Sequence, residues 1–157
     1  MSTVNPAFIE IVQRLPKADL HCHLDGSLRP STLLELSVER GLALPESTAS
    51  ALGAWMRVDD ARHLEDYLAR FEVTLAAMQD AVALERIAHE FVLDAALDGV
   101  RYIEARFCPA LNVRGGLSLD EVMQAVLRGL ARGQKETGTL ARVIVCALRS
   151  VAWPHAL

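Results

Sequence analysis

The residues of this chain best suited to chemistry lie together, in Leu20-His21-Cys22-His23-Leu24-Asp25-Gly26-Ser27. In an extended strand, side chains two positions apart leave the same face. Two steps of about 3.3 Å place the α-carbons of His21 and His23 roughly 6.6 Å apart. Imidazoles converging from that separation can share one Zn²⁺ at Zn–N distances of about 2.0–2.1 Å. Cys22 then faces the opposite way, toward packing and not ligation. A catalytic zinc takes three protein ligands and keeps a position open for water. The remaining histidines offer no evident third ligand: His63 and His89 fall within helical patterns, expected on solvated faces, and His155 lies in the terminal tail. Taken alone, the pair also suits two hydrogen-bonded core histidines, and Asp25-Gly26 reads as an ordinary turn.

These residues need a scaffold. Residues 17–24 are expected to form a strand, preceded by a short helix over 5–15 with Pro6 in its first turn and Pro16 as its stop. After the Asp25-Gly26-Ser27 loop, Pro30 opens a helix through Leu33, Leu34, Leu36 and Val38 that ends at Gly41. Residues 42–60 read as an irregular excursion. Two amphipathic helices follow, one over 63–78 through Leu64, Leu68, Phe71 and Leu75. The other is capped by Asp80, runs through Leu84, Ile87, Phe91 and Ala95, and closes at Gly99. Residues 100–107 alternate as a second strand, with Tyr102, Glu104 and Arg106 on one face and Arg101, Ile103, Ala105 and Phe107 on the other. Neighbouring opposite charges there suit a structural ion pair in a barrel interior or polar groups facing a substrate. The cost of burying an unpartnered charge favours the pair. Ser118-Leu-Asp-Glu121 is a capping box opening a helix to about Gly133. Residues 142–148 are expected to form a third strand, whose run Val143-Ile-Val-Cys-Ala-Leu148 lacks alternation, as in parallel strands covered on both faces. Strand, long helical insert, strand, helix, strand is the grammar of a parallel sheet.

Composition narrows the function. The chain has 157 residues, with 16 Lys+Arg against 20 Asp+Glu, a net charge of −4 without a basic stripe, which disfavours nucleic-acid binding. The 52% apolar content suffices for a core, while the longest apolar run, six residues, is far short of a membrane span. No basic-then-apolar leader is visible, and three widely spaced cysteines, Cys22, Cys108 and Cys146, are no disulfide framework, so a reduced, cytoplasmic setting is expected.

The segment Leu15-Pro-Lys-Ala-Asp-Leu-His-Cys-His-Leu-Asp-Gly-Ser-Leu-Arg-Pro30 resembles the adenosine deaminase family of metal-dependent amidohydrolase barrels. So, in the family's order, do Tyr67-Leu-Ala-Arg-Phe71, Arg86-Ile-Ala-His-Glu-Phe91, Gly99-Val-Arg-Tyr-Ile-Glu-Ala-Arg-Phe-Cys-Pro109, Gly116-Leu-Ser-Leu-Asp-Glu121 and Val143-Ile-Val-Cys-Ala-Leu-Arg149. The resemblance implies an α/β fold, the first three parallel strands of an incomplete (β/α)8 TIM barrel, with a long helical insert after strand 1. It implies hydrolytic deamination of adenosine to inosine and ammonia with one Zn²⁺. Carried over by position, His21 and His23 would be metal ligands and Asp25 would lie beside the ribose of a purine nucleoside. Tyr67, Leu68 and Phe71 would form an apolar lid; without the resemblance they read as a buried helix face. The third and fourth ligands, the glutamate proton donor and a second orienting histidine belong to later strands of the family, beyond Leu157.

A complete barrel takes about 250 residues and eight strands. Residues 1–149 are therefore expected to be the N-terminal part of a deaminase barrel and 150–157 a tail unlike the family, a truncated or frame-shifted product that is inactive alone, poorly stable or self-associating through unpaired strand edges. Within the resemblance, aminofutalosine and adenine deaminases share the opening motif. The PHP phosphoesterase class also begins with His-x-His but brings further His and Asp ligands soon afterwards, and between Leu24 and Val100 only His63 and His89 occur. The zinc deaminases of cytosine and flipped bases combine His-x-Glu with Pro-Cys-x-x-Cys, a combination missing here. A non-catalytic interaction module is the remaining alternative.

Overall fold

A computed structural model describes residues 5–57 and 64–148. The elements run α1 (Pro6–Arg14), β1 (Lys17–His23), a single 3₁₀ turn (Leu24–Gly26), α2 (Pro30–Arg40) and α3 (Ala49–Met56). Then come α4 (Leu64–Ala77), α5 (Ala81–Leu97), β2 (Val100–Phe107), a second 3₁₀ turn (Pro109–Asn112), α6 (Leu119–Thr137) and β3 (Leu140–Val145). The strands form one parallel sheet in the order β1-β2-β3. Parallel neighbours require crossovers, and the helices supply them.

Local signals set the boundaries. Asn5, Asp80 and Ser118 cap α1, α5 and α6, each accepting a hydrogen bond from a free backbone N–H of the first turn. At α6 the capping box is complete, with Glu121 reaching back to the Ser118 N–H at 2.8 Å. Gly41 and Gly138, at φ 64° and 76°, end α2 and α6 in the left-handed conformation that a side chain resists. The expected irregular excursion is corrected by α3: Thr48 caps it, accepting from the Ala51 N–H at 3.2 Å, and Leu52 is fully buried. Helix α6 also runs one turn beyond Gly133, to Thr137.

The core lies on one face of the sheet. Ile103, Ala105 and Phe107 of β2 are buried with Leu84, Ile87 and Phe91 of α5 and Val122 and Val126 of α6. Helices α5 and α6 approach until a Cβ at Gly129 would stand 2.2 Å from the Glu85 carbonyl oxygen. Arg29 donates to Asp94 at 2.6–3.1 Å and Arg86 to Glu35 at 2.6 Å, pinning α2 onto α5. His89 is not on a solvated face: it is 7% exposed and meets Glu136 of α6 at 2.8 Å. The helix–helix seam takes the side that α5 would otherwise give to water.

The opposite sheet face is open. Tyr102, Glu104 and Arg106 are partly exposed, as are most of β1 and their register partners Leu140, Arg142 and Ile144 of β3. The apolar run of β3 was expected to be covered on both faces; among the described residues the helical layer covers one. Helix α1 has no buried residue and exposes Phe8, Ile11 and Leu15.

Candidate functional site

The candidate site forms where β1 gives way to the 3₁₀ turn. Pairing of β1 with β2 is parallel but uneven: Asp19 stands opposite Ile103 and Cys22 opposite Ala105. Three steps on β1 thus match two on β2, a bulge containing Leu20 and His21. His21 has φ 61°, a left-handed conformation that His tolerates better than most non-glycine residues. Such strain costs of order 1–3 kcal/mol and concentrates at functional sites. The regular strand assumed from the His-x-His spacing is therefore corrected to a bulged one. The rings of His21 and His23 nevertheless stand together, with centroids 5.6 Å apart and planes tilted by 43°. Cys22 turns to the other side, as its strand position requires, and packs on the core with Sγ 3.7 Å from Ser27 Oγ.

His23 is held from both ends. Its Nε2 lies 3.1 Å from Arg106 Nη1 and its Nδ1 lies 3.4 Å from Asp25 Oδ1. A guanidinium only donates, so Nε2 accepts and the neutral ring carries its proton on Nδ1, toward Asp25. Asp25 is 9% exposed, and Oδ1 is buried with no hydrogen bond, because the 3.4 Å approach lacks hydrogen-bond geometry. Burial pushes its carboxyl above the usual aspartate range, opposed by His23 and Arg106. An acceptor left this way awaits a donor such as a hydroxyl.

Of the expected lid residues, Phe71 reaches the site. Its ring stands edge-on to His23 at 6.1 Å, and a Cβ on Gly26 would be 3.4 Å from its Cε1. Leu68 is 52% exposed, and the Tyr67 side chain lies outside the described residues, as do His63 and His155. Arg106 also reaches this site, where the sequence pattern had suited it to a pair with Glu104. The pairing of Glu104 with Arg106 is replaced: Glu104 accepts from Tyr102 OH at 3.0 Å, and Arg106 serves His23. Alternation had placed Arg106 on the correct face, but the bulge that brings His23 to it has no signature in the residue pattern.

The donor set fits zinc in part. Two imidazoles stand side by side, although Arg106 occupies the Nε2 lone pair of His23 and would have to turn away from a metal there. No group of three His, Cys, Asp or Glu able to hold a metal occurs among the described residues.

Comparison with known proteins supplies the context. The family model "Adenosine deaminase" matches residues 16–156. The chain is 41% identical over 135 residues to an adenosine deaminase of Vibrio atlanticus, covering 86% of this chain. It is 45% identical over 148 residues to one of Mycobacteroides abscessus, covering 90%. It spans 41% of the length of each of these relatives. Among solved structures, a zinc-bound amidohydrolase from Burkhoderia ambifaria superposes with a TM-score of 0.76 at 26% identity, over 92% of this chain and 39% of that one. An N6-methyl-AMP deaminase from Arabidopsis thaliana does so with a TM-score of 0.64 at 31% identity, over 87% and 41%. The three strands and their helices are thus one sector of a TIM-barrel amidohydrolase, with the bulged histidine pair at the carboxyl end of its first strand. By sequence and by fold, the chain belongs to the adenosine deaminase family.

Proposed function

We propose that this chain is the ligand-bearing first sector of a zinc-dependent hydrolase that converts adenosine to inosine and ammonia. The observation that carries the reading is the bulged His21–His23 pair beside a buried, unsatisfied carboxylate, in a chain about 40% identical to adenosine deaminases. When bound, one Zn²⁺ supplies a Lewis acid that brings the ionisation of water toward neutral pH. His21 and His23 would hold the ion. Arg106 and Asp25 orient the His23 ring from opposite edges. Asp25 Oδ1 receives a ribose hydroxyl, gaining the hydrogen bond it lacks, while Phe71 excludes water from the side of α4.

A purine fits the family at large: solved Arabidopsis relatives, 32% and 31% identical to this chain, hold IMP and GMP. Adenine and aminofutalosine are the competing substrates. The remaining ligands and the proton donor are not provided by the described residues, so the isolated chain is expected to be inactive. The open sheet face and exposed α1 favour self-association, or use as an interaction module, as the second reading. Three free cysteines support a reducing, cytoplasmic setting.

The test has two arms. Calorimetry should show zinc binding by the purified chain that is lost in His21→Ala and His23→Ala, with no fall in adenosine absorbance on incubation. Co-expression with the remaining three-fifths of the Mycobacteroides abscessus relative should restore zinc-dependent turnover, faster on adenosine than on adenine or aminofutalosine. Zinc binding indifferent to both histidines, or a complemented barrel that prefers another substrate, would overturn the reading.

A further inference from the structure

Two of the three cysteines end neighbouring strands. Cys108 follows the last residue of β2 and Cys146 the last residue of β3. The final register pair is Phe107 with Val145, closed by the Cys146 N–H donating to the Phe107 carbonyl at 3.0 Å, so Cys108 and Cys146 are the next residues of adjacent strands. Cys108 and Cys146 are therefore lateral neighbours, with α-carbons about 4.8 Å apart by the spacing of paired strands. That separation lies inside the range of about 4.4–6.8 Å that a disulfide spans. The Cys146 thiol also turns toward β2. Cys146 Sγ turns back to the Phe107 carbonyl oxygen, 3.1 Å away, on the residue that precedes Cys108. Burial pushes the Cys146 thiol up, Arg106 opposes this and Cys108 and Asp25 add to it, which places the thiol at the same end of the sheet as the histidine pair.

The two thiols differ in access. Cys108 is 4% exposed, whereas Cys146 lines an open groove with Pro109, Leu119, Met123 and Val145. Cys22, the third cysteine, sits on β1, with β2 between it and β3.

From this placement we infer that Cys108 and Cys146 form a redox-sensitive dithiol, which a small disulfide oxidant closes into a disulfide joining the ends of β2 and β3. The thiolate of Cys146, the accessible member, attacks one sulfur of oxidised glutathione, expelling one glutathione thiolate and leaving a mixed disulfide. The Cys108 thiolate then attacks the Cys146 sulfur and expels the second glutathione. Two protein thiols are oxidised by two electrons, one glutathione disulfide is reduced to two thiols, and the two protons pass to the leaving sulfurs. Because Cys146 lies past the regular part of β3, its backbone can shift to meet the disulfide geometry.

The test treats the purified chain with oxidised glutathione, blocks residual thiols with an alkylating agent, digests with trypsin without reductant and maps disulfides by mass spectrometry. The expected product is the peptide Phe107–Arg114 joined to Val143–Arg149, with Cys22 alkylated. This crosslink should survive in Cys22→Ser and lose its preference in denaturant, where the sheet no longer sets the pairing. In Cys108→Ser, Cys146 should retain one bound glutathione. Pairing of Cys22 with either partner at comparable yield, mixed disulfides alone in the native chain, or crosslinks between chains only would each overturn the proposal.

Discussion

Two helical glycines can be replaced by alanine with the same local benefit and opposite consequences. Gly129 lies in α6 against α5, and Gly53 lies in α3 near the start of α2. In isolation, each Gly→Ala change favours the helix by about 1 kcal/mol. At Gly129 the new Cβ would stand 2.2 Å from the Glu85 carbonyl oxygen and 2.8 Å from Ala88 Cβ. Ordinary contacts between such atoms are about 3.5 Å, so the helices must part by roughly 1 Å along a seam that buries Leu84, Ala88, Val122 and Val126. The obstacle is helix backbone, which cannot rotate aside as a side chain can. Overpacking of this kind costs about 1–3 kcal/mol, and the upper end applies, leaving a net loss of about 2 kcal/mol after the helix gain. For a chain of this size that lowers the melting temperature by about 4–8 °C. At Gly53 the new Cβ meets only the Pro30 ring, with Cγ at 3.2 Å and Cβ at 3.8 Å, which a shift of a few tenths of an ångström relieves. Gly53→Ala should therefore be neutral or stabilising by about 0.5 kcal/mol. Urea and thermal unfolding of both variants beside the parent chain measure the difference. If Gly129→Ala melted at or above Gly53→Ala, the close α5–α6 approach, and with it the packing of the sheet's helical layer, would be wrong.

Two further outcomes follow from the charges. Asp25→Asn removes a buried carboxylate whose Oδ1 has no hydrogen bond, so it should raise stability at neutral pH by about 1 kcal/mol in urea unfolding; a loss of stability would mean that the carboxylate is satisfied within this chain. Glu136 is held below the usual glutamate range by its hydrogen bond to His89, and then by Arg132. A depressed carboxyl contributes stability that is fully present above its unfolded pKa and lost as pH falls through its folded one. The stability difference between the parent and Glu136→Gln should accordingly shrink on acidification through the carboxylate range; a difference constant with pH would contradict the pairing.

Much of the architecture was legible because it is encoded by neighbours in sequence. Asp80, Ser118-Leu-Asp-Glu121 and Gly41 act through hydrogen bonds and dihedrals within one turn, so they mark the starts of α5 and α6 and the end of α2 without tertiary help. The alternation of residues 100–107 likewise separates the core-facing Ile103, Ala105 and Phe107 from Tyr102, Glu104 and Arg106. Helix α3 escaped because an Ala-rich stretch with a single glycine has weak periodicity, and its Thr48 cap sits among other turn-forming residues.

The site divides along the same line. That His21 and His23 could serve one ion was readable from two histidines two positions apart, while the place of Asp25 came from the family resemblance. That the segment is bulged at His21, that Arg106 closes on His23 Nε2, that Phe71 approaches from α4 and that His89 is sealed against Glu136 all depend on residues distant in the chain. Side-chain periodicity reports which face a residue takes within its own element. Register shifts, the partner across a seam and the burial of a carboxylate are set by how elements stack, and no local pattern carries that information.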